Sequence, residues 1–409
     1  MGIASLVEAI LGPDLPVGVE AYDGTRLGPP DAPATIVVRS PDALSRILTA
    51  PGELGFARAF VAGDLDVEGD LEAVLRLRDR MPEVRLTPRQ LAEVARQAGR
   101  TGLRRLPPPP EEARLHGRRH TKARDAAAVR HHYDVSNRFY EILLGPSMTY
   151  SCAVWPSPEA TLEDAQAAKH ELICAKLGLR EGMRLLDVGC GWGSMVIHAA
   201  RTRAVRAVGV TLSSPQAELA RKRAAEAGVS ELVEVRVQDY RDVRDGPYDA
   251  ISSVGMFEHV GKARLAEYLE RLHDLLRPSG RLLNHGISRP PSRQARFARA
   301  SFIDRYVFPD GELHELGSVV TAAQEAGLEA RHLESLREHY ALTCRAWVRN
   351  LMGRWDDAVG EAGLARARIW RLYLTASALN FEAGRTAVHQ LLAVRPDDGR
   401  SAMPLRPDW

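Results

Sequence analysis

The sequence predicts an α/β fold built on a doubly wound sheet, with a smaller α/β module ahead of it. Three observations carry that prediction. From residue 183, five short apolar runs (MRLLDV, VRAVGV, LVEVRV, YDAISSV and GRLLNHGI) are separated by stretches of helical character, the pattern of a parallel sheet covered on both faces. The first run opens into a glycine-rich loop, Gly189 to Gly193, at the place where open α/β sheets bind ligands. Upstream, residues 34–83 alternate apolar runs with Gly and Asp turns and are followed by four successive prolines, Pro107 to Pro110, which forbid helix and favour an extended, exposed connection.

In chain order, ATIVVRS reads as a strand and LGFARAFVAGDLDVEGDLEAVLRL as the helices after it. Residues 1–106 are therefore expected to form an N-terminal domain, 107–125 a basic Pro-rich linker and 126–409 a second domain. In that second domain, SPQAELARKRAAEAG reads as a helix with Ser213 or Ser214 as N-cap, Pro215 in the first turn, a Glu218 to Lys222 pair and Gly228 as stop.

Composition narrows the function classes. With 45% hydrophobic, 26% charged and 6% aromatic residues, the chain is a folded globular protein and not a disordered or fibrous one. Its formal charge of +2 gives no global field that would draw nucleic acid. The asymmetry is local: residues 1–83 carry 14 acidic and 7 basic side chains, whereas 96–130 carry 10 basic ones against Glu111, Glu112 and Asp125. That basic strap suits an anionic membrane surface. It interleaves no aromatic residue to stack bases, so no nucleic-acid partner is expected. The four cysteines, at 152, 174, 190 and 344, form no CxxC, so neither a metal site nor a disulfide framework is indicated. The N-terminus lacks a basic n-region and no run of 18 apolar residues occurs, so the expected location is cytoplasmic, with any membrane met peripherally from its inner face.

Within Leu186-Asp187-Val188-Gly189-Cys190-Gly191-Trp192-Gly193-Ser194 the glycines follow G-x-G-x-G with Asp187 ahead of them. A dinucleotide fingerprint asks instead for G-x-G-x-x-G, so the loop suits a compact adenosyl amino acid better than a pyrophosphate. The second strand ends in Val210-Thr211-Leu212-Ser213, without the carboxylate that usually holds a ribose. The third ends at Gln238-Asp239, from which a carboxylate can accept from an adenine amino group or cap a helix.

At this point several separated stretches resemble one family. HHYDVSNRFYEILLGPSMTYSCAVW, LLDVGCGWGS, VGVTLSSPQ, MFEHVG, GRLLNHGI and FIDRYVFPDGEL are similar, in order across about residues 34–400, to the cyclopropane-fatty-acyl-phospholipid synthases and the related mycolic-acid and branched-fatty-acid methyltransferases. The resemblance implies a class I S-adenosylmethionine-dependent methyltransferase fold, a Rossmann-like doubly wound sheet, preceded by a lipid-binding N-terminal domain. It implies cofactor contacts from Thr211, Leu212 and Gln216, with Gly189 and Gly191 under the methionine portion and Tyr133 and Ser136 covering it. It also implies a bound bicarbonate as proton acceptor, held by Cys152, Glu258, His285, the Ile287 main chain and Tyr340.

The activity implied is methyl transfer to the double bond of an unsaturated phospholipid acyl chain through a carbocation. Proton loss from the added methyl closes a cyclopropane ring. A prior hydride shift gives a methylene branch, which a partner reductase can convert to a methyl branch. A homodimer formed through the N-terminal domain is a further expectation. A small-molecule O- or N-methyltransferase and a catalytically silent lipid-binding module are the competing classes; the N-terminal module counts against the former and the complete anion-ligand set against the latter. Tyr150, Phe257, Tyr306, Tyr340 and Trp347 are the aromatic candidates for steadying the cation.

Overall fold

The structure is a computed structural model that describes residues 3–4, 7, 15–50, 52–80, 105–113, 121–122, 124–125, 135–291, 301–407 and 409. Two compact units emerge. One draws on Met1–Arg114, Phe297–Val307 and Trp355–Leu379; the other on Leu115–Arg296, Phe308–Arg354 and Asn380–Trp409.

The first unit contains a four-stranded sheet in the order β2-β1-β3-β4, with β1 (Gly18–Ala21), β2 (Arg26–Leu27), β3 (Ala34–Val38) and β4 (Leu65–Gly69). Helices α1 (Pro41–Thr49) and α2 (Glu53–Ala62) connect β3 to β4. β4 is a strand inside the stretch read from sequence as helical. Its alternate residues Leu65 and Val67 are buried, while Gly63, in the left-handed conformation at φ 80°, ends α2 ahead of it.

Charge pairing explains why distant chain segments join this unit. Arg58 grips Glu112 with two parallel bonds, Nε to Oε2 at 2.9 Å and Nη2 to Oε1 at 2.8 Å, and the Tyr306 hydroxyl donates to the same carboxylate at 3.2 Å. Arg368 Nη2 donates to Asp66 at 2.6 Å. The Pro-rich stretch is extended, as its prolines require, but it is not a solvated linker: Pro109 and Glu112 are buried and the Pro107 carbonyl accepts from Arg46. The division in space is therefore not the linear one at 107–125.

The second unit is built on a sheet whose strand path is β11-β12-β9-β8-β5-β6-β7, with β10 paired to β9. Its strands are β5 (Arg184–Val188), β6 (Arg206–Thr211), β7 (Val233–Val237), β8 (Tyr248–Val254), β9 (Leu276–Arg289), β10 (His314–Glu315), β11 (Glu329–Ser335) and β12 (Ala387–Val394). β5 to β9 are mutually parallel, and all but one of the residues in β5 and in β6 are buried, as a sheet covered on both faces demands. The sheet is not wholly parallel, however: β12 runs antiparallel between β9 and β11.

The helices that position the site are α3 (Asn137–Leu144), α4 (Leu162–Leu177), α5 (Ser194–Arg203), α6 (Ser214–Glu226) and the single-turn α7 (Phe257–Val260). Ser213 is the N-cap of α6, its Oγ accepting from the Gln216 N–H. Lys222 lies 3.8 Å from Glu226 on the following turn, in place of the expected Glu218.

Candidate functional site

Because β5, β6, β7 and β8 are parallel, their carboxyl ends open at one edge, and a cavity there is lined by the residues just past each strand: Gly189 and Gly191, Leu212, Gln238 and Asp239, Gly255 and Met256. The loop conformation depends on glycine. Gly191 has φ 53°, and a Cβ built on it meets no atom within 4 Å, so the bare backbone leaves the cavity open. Gly189 has φ 82°, and a Cβ there would collide with Met256 Sδ.

Asp187, buried at the end of β5, accepts from Ser252 Oγ on the paired strand β8 at 2.6 Å. Burial pushes its pKa up to about 6, against the pull of the Ser252 hydrogen bond. Thr211 Oγ1 donates to Gln216 Oε1 at 2.8 Å, so the end of β6 and the first turn of α6 are joined where a ribose acid is missing. Every expected cofactor residue among Asp187, Gly189, Gly191, Thr211, Leu212, Gln216, Gln238 and Asp239 lines this one cavity.

Ser136 is placed differently. Its Oγ caps α3 by accepting from the Phe139 N–H at 2.9 Å, and it is not among the cavity-lining residues. Its neighbour Asn137 nevertheless receives the Trp192 indole N–H from the glycine loop at 2.9 Å. Tyr133 lies outside the described residues. Asp239 does cap a short helical turn, and both its oxygens accept from Arg241, at 2.8 and 2.6 Å. Arg241 also reaches Asp125 at 3.0 Å. Lys122 pairs with Asp242 at 2.7 Å and Arg124 with Asp310, so these two cations of the basic strap are tied to carboxylates of the second unit, and Asp310 itself lines the cavity. The strap positions Arg96, Arg100, Arg104, Arg114, Arg118, Arg119 and Arg130 lie outside the described residues.

The expected anion ligands sit beside the cavity wall. Gly255, which lines it, donates its N–H to the His285 carbonyl at 2.8 Å. Glu258 Oε1 accepts the Ile287 main-chain N–H at 2.7 Å, and His285 shares a face of β9 with Ile287 two residues on. The Ile287 N–H is thus engaged by Glu258 instead of standing free for an anion. Glu258 Oε2 and His285 Nε2 are buried without a hydrogen-bond partner, an arrangement that costs free energy unless a polar guest supplies the missing bonds. Desolvation raises the Glu258 carboxyl to about 7 and lowers the His285 imidazole to about 3.

Cys152 is fully buried, its thiol facing the Ala153 and Leu336 carbonyls, and burial raises its pKa well above the ordinary value, which leaves a neutral thiol without nucleophilic character. Tyr340 connects to the cavity through rings: Tyr150 in the wall lies 5.2 Å from Trp347, which lies 6.0 Å from Tyr340. Tyr306, listed with these aromatics from the sequence, belongs to the other unit, where it serves Glu112.

Sequence reasoning missed Lys169. Its side chain is 1% exposed, it lines the cavity, and its Nζ donates to Ser151 Oγ at 2.7 Å. Burial lowers its pKa to about 7, with Asp187 nearby acting in the opposite sense. A carboxylate and an ammonium thus face one cavity, a pairing suited to a zwitterionic amino-acid end. The glycine cradle, this pair and the polar strand ends fit an adenosyl amino acid; the orphaned Glu258 and His285 atoms fit a small hydrogen-bonding anion.

Residues 120–391 match the family described as mycolic acid cyclopropane synthetase. The chain is 48% identical to a protein of Mycobacterium tuberculosis named "Probable fatty acid methyltransferase", over 96% of this chain and 95% of that one. It is 32% identical to the cyclopropane-fatty-acyl-phospholipid synthase of Escherichia coli, over 89% and 88%. Among solved structures it resembles the mycolic acid cyclopropane synthase CmaA1 complexed with SAH and CTAB, with a TM-score of 0.62 and 33% identity over 66% of this chain and 98% of that one.

Proposed function

The chain belongs to the mycolic acid cyclopropane synthetase family and is an S-adenosylmethionine-dependent methyltransferase; from that premise we propose that it methylates the double bond of an unsaturated phospholipid acyl chain and closes a cyclopropane ring. The observation that carries this reading is the pair of orphaned buried atoms, Glu258 Oε2 and His285 Nε2, one residue behind the wall of the cofactor cavity. A methyltransferase acting on oxygen or nitrogen needs a base within reach of a heteroatom. One acting on an alkene needs a dry cavity and a base for the proton that leaves afterwards.

S-adenosylmethionine, when bound, supplies an electrophilic methyl that a carbon–carbon double bond can attack. Asp187 and Lys169 would hold its amino-acid end, the backbone at Gly189 and Gly191 would approach it closely, and Thr211, Leu212, Gln216, Gln238 and Asp239 would surround the nucleoside; Tyr133 and Ser136 are the proposed cover, Ser136 from outside the cavity lining. Exclusion of water by Trp192, Met148 and Met256 protects the carbocation on the lipid from capture. Glu258, His285 and Tyr340, beside Cys152 and Ile287, would hold a bicarbonate, which would supply the base for the departing proton. The neutral Glu258 carboxyl can donate to such an anion, and the uncharged His285 does not compete for its proton.

The remaining parts of the reading follow the chain's surface. Within the first unit, residues 1–106 bind lipid and form the homodimer contact; residues 107–125 lead into the catalytic stretch, which is the part of 126–409 that belongs to the second unit; and the strap arginines hold the protein peripherally at the anionic inner face of the membrane. No helix among the described residues is long and apolar enough to cross a bilayer. Lipids extracted from a bacterial host expressing the protein test the proposal. The expected result is monounsaturated acyl chains gaining one CH2 and losing reactivity toward ozone. A gain of CH2 with ozone reactivity retained points to a methylene branch and a reductase partner. Unchanged lipids overturn the proposal.

A further inference from the structure

His285 sits in the middle of β9, and its direct cross-strand partner on β12 is Gln390. The two side chains meet inside the sheet, His285 Nδ1 to Gln390 Nε2 at 3.2 Å, with both residues buried. The other end of the Gln390 amide is held by Lys176 of α4, whose Nζ lies 2.7 Å from Gln390 Oε1 and also pairs with Glu334 on β11. An ammonium has donors and no acceptor, so the amide atom facing Lys176 is the oxygen on chemical grounds alone. The NH2 end then faces His285, and it can only donate. Nδ1 must accept, and a neutral imidazole that accepts at Nδ1 carries its proton at Nε2.

We propose that Gln390, held by Lys176, is a positioning residue that fixes His285 as its Nε2–H tautomer, so that the buried Nε2 atom without a partner is a hydrogen-bond donor to an anion. The proposal rests on the reading of His285 as an anion ligand and specifies what that ligand offers. The opposite tautomer would present a lone pair and repel the anion. Burial lowers the Lys176 pKa and the Glu334 carboxylate on β11 opposes that shift, which completes a line of four side chains from β11 to the site.

The test is a long-range proton–nitrogen spectrum of full-length protein carrying 15N-labelled histidine, recorded without lipid, with the His285 signals assigned from their loss in His285→Asn. The expected spectrum shows His285 protonated at Nε2 and bare at Nδ1. Gln390→Glu places a carboxylate between Lys176 and Nδ1. It should move the proton to Nδ1, and turnover should fall roughly tenfold to a hundredfold, as when the outer partner of a ligating imidazole is lost. Its S-adenosylmethionine Kd should stay within about twofold. Lys176→Met, which frees the amide to turn, should give mixed tautomers. A wild-type His285 protonated at Nδ1, or a Gln390→Glu spectrum unchanged from wild type, overturns the proposal. The wild-type spectrum, assigned with His285→Asn, decides even if Gln390→Glu and Lys176→Met do not fold. Because it contains no substrate, the tautomer can be correct while the lipid reading fails, and the reverse.

Discussion

Ile287 gives its main-chain N–H to Glu258 Oε1 at 2.7 Å and leaves Oε2 of the same carboxyl buried without a partner. A backbone bond on one oxygen fixes the plane of the group, so the second oxygen is held in a defined direction with nothing in the protein to meet it.

Glu258→Gln should therefore preserve cofactor affinity and reduce turnover by about 100-fold, within the range for a positioned acid or base. It should also change how stability depends on pH. Burial raises the native pKa to about 7, above the roughly 4.3 of an unfolded glutamate. Below about pH 4.5 both states hold the proton and the full stability is present. As pH rises through 7 the unfolded chain releases its proton first, and up to about 4 kcal/mol is lost. Denaturation midpoints of wild type and Glu258→Gln should thus diverge between pH 4.5 and 7. Parallel curves would refute the assignment.

Asp187 governs the other charge in the cavity. On the proposed reading its carboxylate would attract the cationic end of the cofactor, and protonation near pH 6 would remove that attraction. Calorimetric affinity for S-adenosylmethionine should weaken as pH falls below about 6, whereas Asp187→Asn should bind roughly tenfold more weakly, a difference of about 1.4 kcal/mol, with no such pH dependence. An identical pH profile in the variant would count against this role.

At Gly191 the bare backbone lines the cavity, and on the proposed reading it would meet the cofactor directly. Gly191→Ala forces a β-carbon into the left-handed region at φ 53° and pushes a methyl into the cavity. The strain costs about 1–2 kcal/mol, visible as a lower Tm, and the loss in cofactor affinity should exceed what that destabilisation predicts. Equal affinity in the folded variant would place the cofactor elsewhere.

The basic strap divides into two groups with different expected behaviour. Lys122 and Arg124 are engaged by Asp242 and Asp310, so Lys122→Gln with Arg124→Gln should leave retention on anionic vesicles unchanged. Neutralising Arg104, Arg105, Arg118 and Arg119 together should reduce that retention, and more so at low salt, because a cation close to an anionic leaflet contributes about 1 kcal/mol before screening. Co-sedimentation measures both, and retention of the fourfold variant at low salt would end the strap proposal.

The parallel core was legible because each of its strands is a short apolar run bounded by a turn, and the cavity was legible because its lining residues follow those runs directly. β12, AVHQLLAV, is not among the runs read as strands, and nothing local in it says that it enters the sheet antiparallel. β11 was harder, since EARHLES is partly exposed along its length and carries no apolar alternation. The two buried lysines of α4 did leave a trace: Lys169 and Lys176 stand seven residues apart, on the stripe that includes Leu162, Ala165 and Ile173. A cation on an apolar stripe needs a partner. The partners, Ser151, Glu334 and Gln390, come from remote stretches that no local pattern connects.

The first unit takes the Arg368 that meets Asp66 and the Tyr306 that meets Glu112 from late in the polypeptide. During synthesis, nearly the whole message must be translated before this unit can close. A truncated product ending near residue 125 would leave Asp66 without Arg368 and Glu112 without the Tyr306 hydroxyl, and would make a poor stand-in for the N-terminal domain. Excision of that domain for separate study should therefore begin from a permuted or co-expressed design that returns residues 355–379 to it.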